Sequence, residues 1–157
     1  MDKYEKLVEL YRSKLNTVIS TGEWVKIDQD RITLFAIVTG DKQWIHINPD
    51  KAAKESIYKT TIAHGFLTLS MIPYLTKSNT PEYFEKNYPG MKMRINYGLN
   101  KVRFPAAVKV NSFIRAKEIP ISVKRIENGV ELIYKIIVEI KDNPKPACVA
   151  EQIFRLY

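Results

Sequence analysis

An α+β fold, with an antiparallel sheet wrapped around a long central helix, is predicted by three features of this 157-residue sequence. Helix-period patterns fill the first half and strand-period patterns follow in a run, the order of helices set on one side of an antiparallel sheet. IAHGFLTLSMIPYL, residues 62 to 75, is apolar on nearly every side, as a helix enclosed by other structure must be. From Met91 onward the apolar period shortens to two, the spacing of strands with one buried face. Length and a 45% hydrophobic share suit one domain over 1–157, with a helical extension over about residues 1–20.

Tyr4, Val8, Tyr11 and Leu15 recur at helical spacing between charged residues, so the opening helix carries one apolar stripe and packs on the outside of the domain. A second helix is predicted over 29–39: Asp28 caps it, Ile32, Phe35 and Ala36 share a face, and Gly40 suits the left-handed residue that ends a helix. Asn48-Pro49 signals a short helix through Lys54. After the apolar segment 62–75, Met91, Met93, Ile95, Tyr97 and Leu99 alternate with polar residues, while Val102 and Phe104 are out of phase with them. A bulge at Gly98 to Lys101 would return both sets to the interior. Strands follow over 112–126, 130–141 and 147–157, with Asn128-Gly129 as a two-residue turn and Asp142-Asn143-Pro144 as the next break.

The N-terminus MDKYEKLVELYRSKL lacks the uninterrupted apolar run of a signal peptide, and no stretch is long enough to cross a bilayer. The single cysteine, Cys148, reads as a small buried apolar residue. A cytoplasmic protein without membrane partners is the expectation. The net charge of +8 comes from scattered lysines rather than a cluster, and no nucleic-acid motif accompanies it, so a nucleic-acid partner is not expected.

The chain has two histidines, His46 and His64, each beside a loop-to-helix junction. In GDKQWIH an acid, Asp41, precedes His46 by five positions. A neutral imidazole can take a proton from water near neutral pH while a carboxylate orients the same water, which suits adding or removing water. The same residues also serve as an ordinary turn acid and a histidine that satisfies backbone groups. Two histidines without further acids or cysteines give no metal set. At Ala63-His64-Gly65-Phe66, the free N–H groups of a helix start favour developing negative charge, although Gly65 could equally permit close packing.

Four segments in order, WVKIDQDRITLFA, TGDKQWIHINPD, IAHGFLTLS and INYGLNKVRFPA, resemble the MaoC-like dehydratases, the (R)-specific enoyl-CoA hydratase family, and within it the nodulation protein N type. The resemblance covers about Trp24 to Ala106. It implies a hot-dog fold, usually dimeric, acting on acyl thioesters. Asp41 and His46 match the family's catalytic acid and histidine. Gly65, beside His64, matches the glycine whose N–H holds the thioester oxygen. The segment from Asn96 and Tyr97 to Pro105 would line the acyl and pantetheine path. Strand alternation turns Lys101 and Arg103 outward, opposite Val102 and Phe104, either toward phosphates of the carrier or as an ordinary solvated strand face. Gln43-Trp44 stands where many members have Asn-Pro, which would put the Trp44 ring near the pocket. Tyr58-Lys59 replaces a frequent Phe-Gly pair, and Pro73 replaces a helix serine.

The reading is (R)-specific hydration of trans-2-enoyl thioesters, or the reverse dehydration of 3-hydroxyacyl thioesters, in fatty-acid metabolism by a homodimer. No metal or redox cofactor is expected; coenzyme A or acyl carrier protein enters as part of the substrate. The alternatives are a non-catalytic acyl-thioester-binding module and an acyl thioesterase on the same fold.

Overall fold

The computed structural model describes all 157 residues. In chain order the elements are α1 (Lys3–Arg12), β1 (Ser20–Thr21), β2 (Val25–Lys26), α2 (Gln29–Thr39), α3 (Trp44–Ile47), α4 (Pro49–Glu55), α5 (Gly65–Ser70), α6 (Ile72–Thr76), α7 (Pro81–Asn87), β3 (Arg94–Arg103), β4 (Phe113–Ile126), β5 (Gly129–Ile140) and β6 (Cys148–Leu156). The strands form one antiparallel sheet in the order β1-β4-β5-β6-β3, with β2 also paired to β4. Strand period two puts Ile114 and Ala116 of β4, the even residues from Val130 to Val138 of β5, and Cys148, Ala150, Phe154 and Leu156 of β6 on the buried face. Against them pack Leu67 of α5, Ile72 and Leu75 of α6, and Leu7, Val8 and Tyr11 of α1. Each such side chain, fully buried, contributes about 1.5–3 kcal/mol. No helix is long and apolar enough to cross a membrane.

Three sequence expectations change. The apolar segment begins its helix at Gly65 rather than Ile62 and is divided at Met71 into α5 and α6. Pro73 has no N–H to donate to the preceding turn, which weakens the ladder there. Nor is it buried on every side: Phe66 and Tyr74 are exposed. Residues 91–93 precede β3 rather than belong to it, and the face expected to be buried is open at Met93, Ile95, Tyr97 and Leu99: alternation puts these residues on one side, and β6, the strand paired with β3, bonds its edge without covering that face. The bulge is present, one extra residue falling between Leu99 and Val102, and a second falls between Asn96 and Gly98. Finally, Gly129 already pairs with Ile126, so the turn is Glu127-Asn128, with Asn128 at φ 55°. Gly129 serves close approach instead: a Cβ there would lie 2.5 Å from the Leu156 carbonyl oxygen.

A polar network sits inside this framework. Tyr134 Oη donates to Tyr11 Oη at 2.8 Å, Tyr88 Oη lies 3.4 Å from Tyr134 Oη, and Tyr83 Oη donates to Glu118 Oε2 at 2.8 Å. Arg94 reaches Ser78, Asn79 and Tyr88 and lies over the Phe154 ring. Burial pushes the Glu118 carboxyl up to about 7, against the pull of Tyr83 and Arg94.

Candidate active site

Local capping chemistry carries Asp41 and His46 into place. Asp28 Oδ1 accepts from Arg31 N at 2.9 Å to start α2, and Gly40 ends it in the left-handed conformation at φ 79°. The chain therefore turns sharply at residues 40–43 and re-enters a helix at Trp44. Asn48 then caps α4 ahead of Pro49, so α3 is a single turn bearing His46. Gln29 joins three segments: its Nε2 donates to the His46 carbonyl at 2.7 Å, and its Oε1 accepts from Thr61 Oγ1 at 2.6 Å. Ile62 N donates to Ile45 O at 3.1 Å, and Ala63 N to Val108 O at 2.8 Å, which fixes the 61–63 segment between α3 and the chain before β4.

The histidines meet face to face, with ring centroids 3.7 Å apart and planes 26° from parallel. His46 is 6% exposed and His64 3%. His46 Nδ1 lies 2.7 Å from Ile62 O, and since a carbonyl can only accept, Nδ1 carries the proton and Nε2 is left basic. By the same reasoning His64 Nε2 donates to the Asp41 carbonyl at 2.9 Å, and its buried Nδ1 has no partner. Burial holds His46 below the ordinary imidazole range, assisted by His64 and opposed by the Ile62 carbonyl and the Asp41 carboxylate. His46 is therefore neutral at neutral pH, the state required of a base. Asp41 is exposed, so its carboxylate meets solvent at the rim.

His46 lines a cavity of about 200 Å³ together with Tyr58, Gly65, Thr68, Phe104 and Val108. Gly65 is the first residue of α5, so its N–H has no partner within the helix. The Phe104 ring covers it so closely that a Cβ at Gly65 would lie 2.9 Å from Phe104 Cδ2. A larger cavity, about 670 Å³, lies between Glu23, Val25 and the Pro73–Thr80 stretch. It contains no histidine, and its one acid, Glu23, is paired with Lys77 at 3.2 Å.

The other residues singled out in the sequence lie elsewhere. Trp44 is outside the His46 cavity, with Lys51 Nζ 5.0 Å from the centre of its ring. Asn96 and Tyr97 line a separate groove of about 270 Å³ with Leu69, Pro73 and Gln152. Lys101 pairs with Glu151 at 3.8 Å, and Arg103, exposed, donates to the Val102 carbonyl at 2.7 Å. Arg103 immediately precedes the cavity residue Phe104. Phe104 falls within the 96–105 segment expected to line the substrate path, whereas reasoning from sequence did not find Thr68, Gln29 or Ile62. Thr68, one turn beyond Gly65 on an apolar helix, was the one legible signal; Gln29 and the Ile62 carbonyl act through contacts that sequence spacing does not reveal.

Asp41, His46 and His64 also bring together more donors than the sequence suggests, with a carboxylate oxygen and one ring nitrogen from each histidine within 4.8 Å of one another. Metal ligation fits these rings poorly. An ion about 2.0–2.1 Å from both nitrogens would lie out of the plane of at least one of two nearly parallel rings, away from its lone pair. Proton transfer to water has no such demand.

The family model described as MaoC like domain matches residues 12–138. The chain is 45% identical over 138 residues to 3-hydroxyacyl-thioester dehydratase Z of Mycobacterium tuberculosis, covering 87% of each chain. It is 38% identical over 143 residues to nodulation protein N of Rhizobium leguminosarum bv. viciae, covering 90% of this chain and 85% of that one. Among solved structures, an (R)-hydratase from Pseudomonas aeruginosa superposes with a TM-score of 0.65 at 22% identity, over 90% of this chain and 82% of that one.

Proposed function

The chain belongs to the MaoC-like domain family and has its hot-dog fold, and on that premise we propose that it hydrates trans-2-enoyl thioesters to (R)-3-hydroxyacyl thioesters, or runs the reverse dehydration. The observation that carries the reading is the neutral His46, its Nε2 free, beside the Asp41 carboxylate at a cavity that also holds the Gly65 N–H. In hydration a water held by Asp41 and His46 adds its oxygen to C3 and gives up a proton, and a proton is delivered to C2. Charge that gathers on the thioester oxygen meets the Gly65 N–H. Atoms balance with water as the only co-substrate. This chemistry uses no metal or redox cofactor; coenzyme A or acyl carrier protein is the handle of the substrate.

A homodimer fits the exposed surface. The edge strand β3 presents Ile95, Tyr97 and Leu99, Met93 lies just before it, and the helix pair presents Phe66 and Tyr74, apolar area that a second copy would cover. Light scattering at micromolar concentration tests this, with a monomer as the contrary result. The activity is tested by following hydration of enoyl-coenzyme A thioesters across a panel of chain lengths. Turnover of at least one length is expected. Binding without turnover at every length would support a binding module, and release of free thiol a thioesterase.

A further inference from the structure

The loop that bears Asp41 is weakly tied to the rest of the molecule. Within residues 40–43, Gly40 N donates to Ala36 O, Lys42 N to Gly40 O, Asp41 N to Thr39 Oγ1 at 3.4 Å, and Gln43 N to Asp41 Oδ1 at 3.5 Å. All of these reach four residues or fewer along the chain. One bond of this loop reaches further: His64 Nε2 donates to the Asp41 carbonyl across 23 residues at 2.9 Å. An exposed loop held by such local bonds samples many backbone states unless a distant contact selects one.

His64 is well fixed for that task. Its ring is buried, stacked on His46 and packed 5.0 Å from Phe35 of α2. Its backbone precedes Gly65 and caps α5, and two residues earlier the Ile62 carbonyl holds His46 Nδ1. Residues 62, 64 and 65 therefore hold, in turn, the His46 ring, the Asp41 backbone and the thioester-facing N–H.

Resting on the proposed hydration, we infer that His64 is a positioning residue, which fixes the Asp41 loop through its Nε2–H so that the Asp41 carboxylate addresses the same water as the His46 imidazole. Reacting groups misplaced by an ångström lose much of the advantage of proximity while substrate binding elsewhere is kept. The effect therefore belongs in kcat, with KM little changed.

The test compares His64→Phe, which keeps a planar ring without the donor, with His64→Gln, which supplies an amide N–H without the imidazole, using Asp41→Asn as reference. Two quantities are measured: hydration kinetics on the best enoyl-coenzyme A, and amide hydrogen exchange of residues 40–43. His64→Phe should lose roughly tenfold or more in kcat with KM within about twofold, and exchange in the loop should speed up. His64→Gln should keep loop protection and most of kcat, whereas Asp41→Asn should lose kcat with loop exchange unchanged. Parental kcat and loop exchange in a folded His64→Phe would overturn the inference. So would a hundredfold loss of kcat in His64→Gln with loop protection intact, since the imidazole would then act in the chemistry itself; this arm decides even if His64→Phe does not fold. A parent protein that hydrates nothing would refute the proposed activity instead, and the exchange data would still show whether His64 holds the loop.

Discussion

Two buried polar clusters in this molecule differ in how completely their hydrogen bonds are made. In the tyrosine cluster, Tyr11, Tyr83, Tyr88, Tyr134 and Glu118 all find partners inside the protein. In the histidine cluster, His64 Nδ1 has none, and His46 keeps a basic nitrogen beside a cavity. A satisfied network stiffens the core and specifies one arrangement of it; an open one keeps acceptors for a substrate or a water. The tyrosine cluster therefore suits stability, and the histidine cluster suits the proposed hydration.

Variants can break this division. Asp41→Asn and His46→Ala should each lower hydration per folded molecule by about a hundredfold or more while the fold is kept. Tyr134→Phe should do the opposite: it leaves Tyr11 Oη without its donor, costing about 1–3 kcal/mol of stability, while turnover per folded molecule is unchanged. Thermal melts and initial rates on the same preparations check both.

Glu118 sharpens the comparison through pH. Its carboxyl titrates at about 7 in the folded protein against 4.5 ordinarily, so between those values the unfolded chain is ionised while the folded one still holds its proton. Stability from this group is present at low pH and is lost as pH rises from about 4.5 through 7. Glu118→Gln, which keeps an acceptor for Tyr83, should match the parent near pH 4.5 and exceed it above pH 7 by about 3 kcal/mol. Equal gains at both pH values would contradict that account of Glu118.

Smaller effects are expected at the rim of the active site. Gly65→Ala should lower kcat/KM by about tenfold, because its Cβ displaces the Phe104 ring and disturbs the N–H beside it. In the parent, kcat/KM should hold as pH falls to the ordinary imidazole value of 6.5 and decline only below it, since burial depresses the titration of His46 and the base is lost when it protonates. A decline beginning above 6.5 would contradict the buried, neutral His46.

The sequence made some of this legible for local reasons. Asp28 and Gly40 delimit α2, and Asn48-Pro49 starts α4, because caps act on their own neighbours. The alternation of β4, β5 and β6 also translated directly into a buried face, since both of its neighbours in the sheet and the helices are within one chain. β3 has the same alternation and an exposed face, because alternation states which residues share a side and not what covers it. The family resemblance selected Asp41, His46 and Gly65, yet the stacking of His46 on His64 depends on contacts across 18 residues that spacing does not encode. Trp44, close to His46 in sequence, turned away because one turn of α3 places neighbours on different sides.

The most direct test of the division between the two clusters measures enoyl-thioester hydration and melting side by side for the parent, His46→Ala and Tyr134→Phe. Hydration per folded molecule should fall about a hundredfold in His46→Ala, and Tyr134→Phe should keep the parental rate while its Tm falls by roughly 3–10 °C. Near-parental hydration by folded His46→Ala, or a comparable loss of rate in folded Tyr134→Phe, would contradict it.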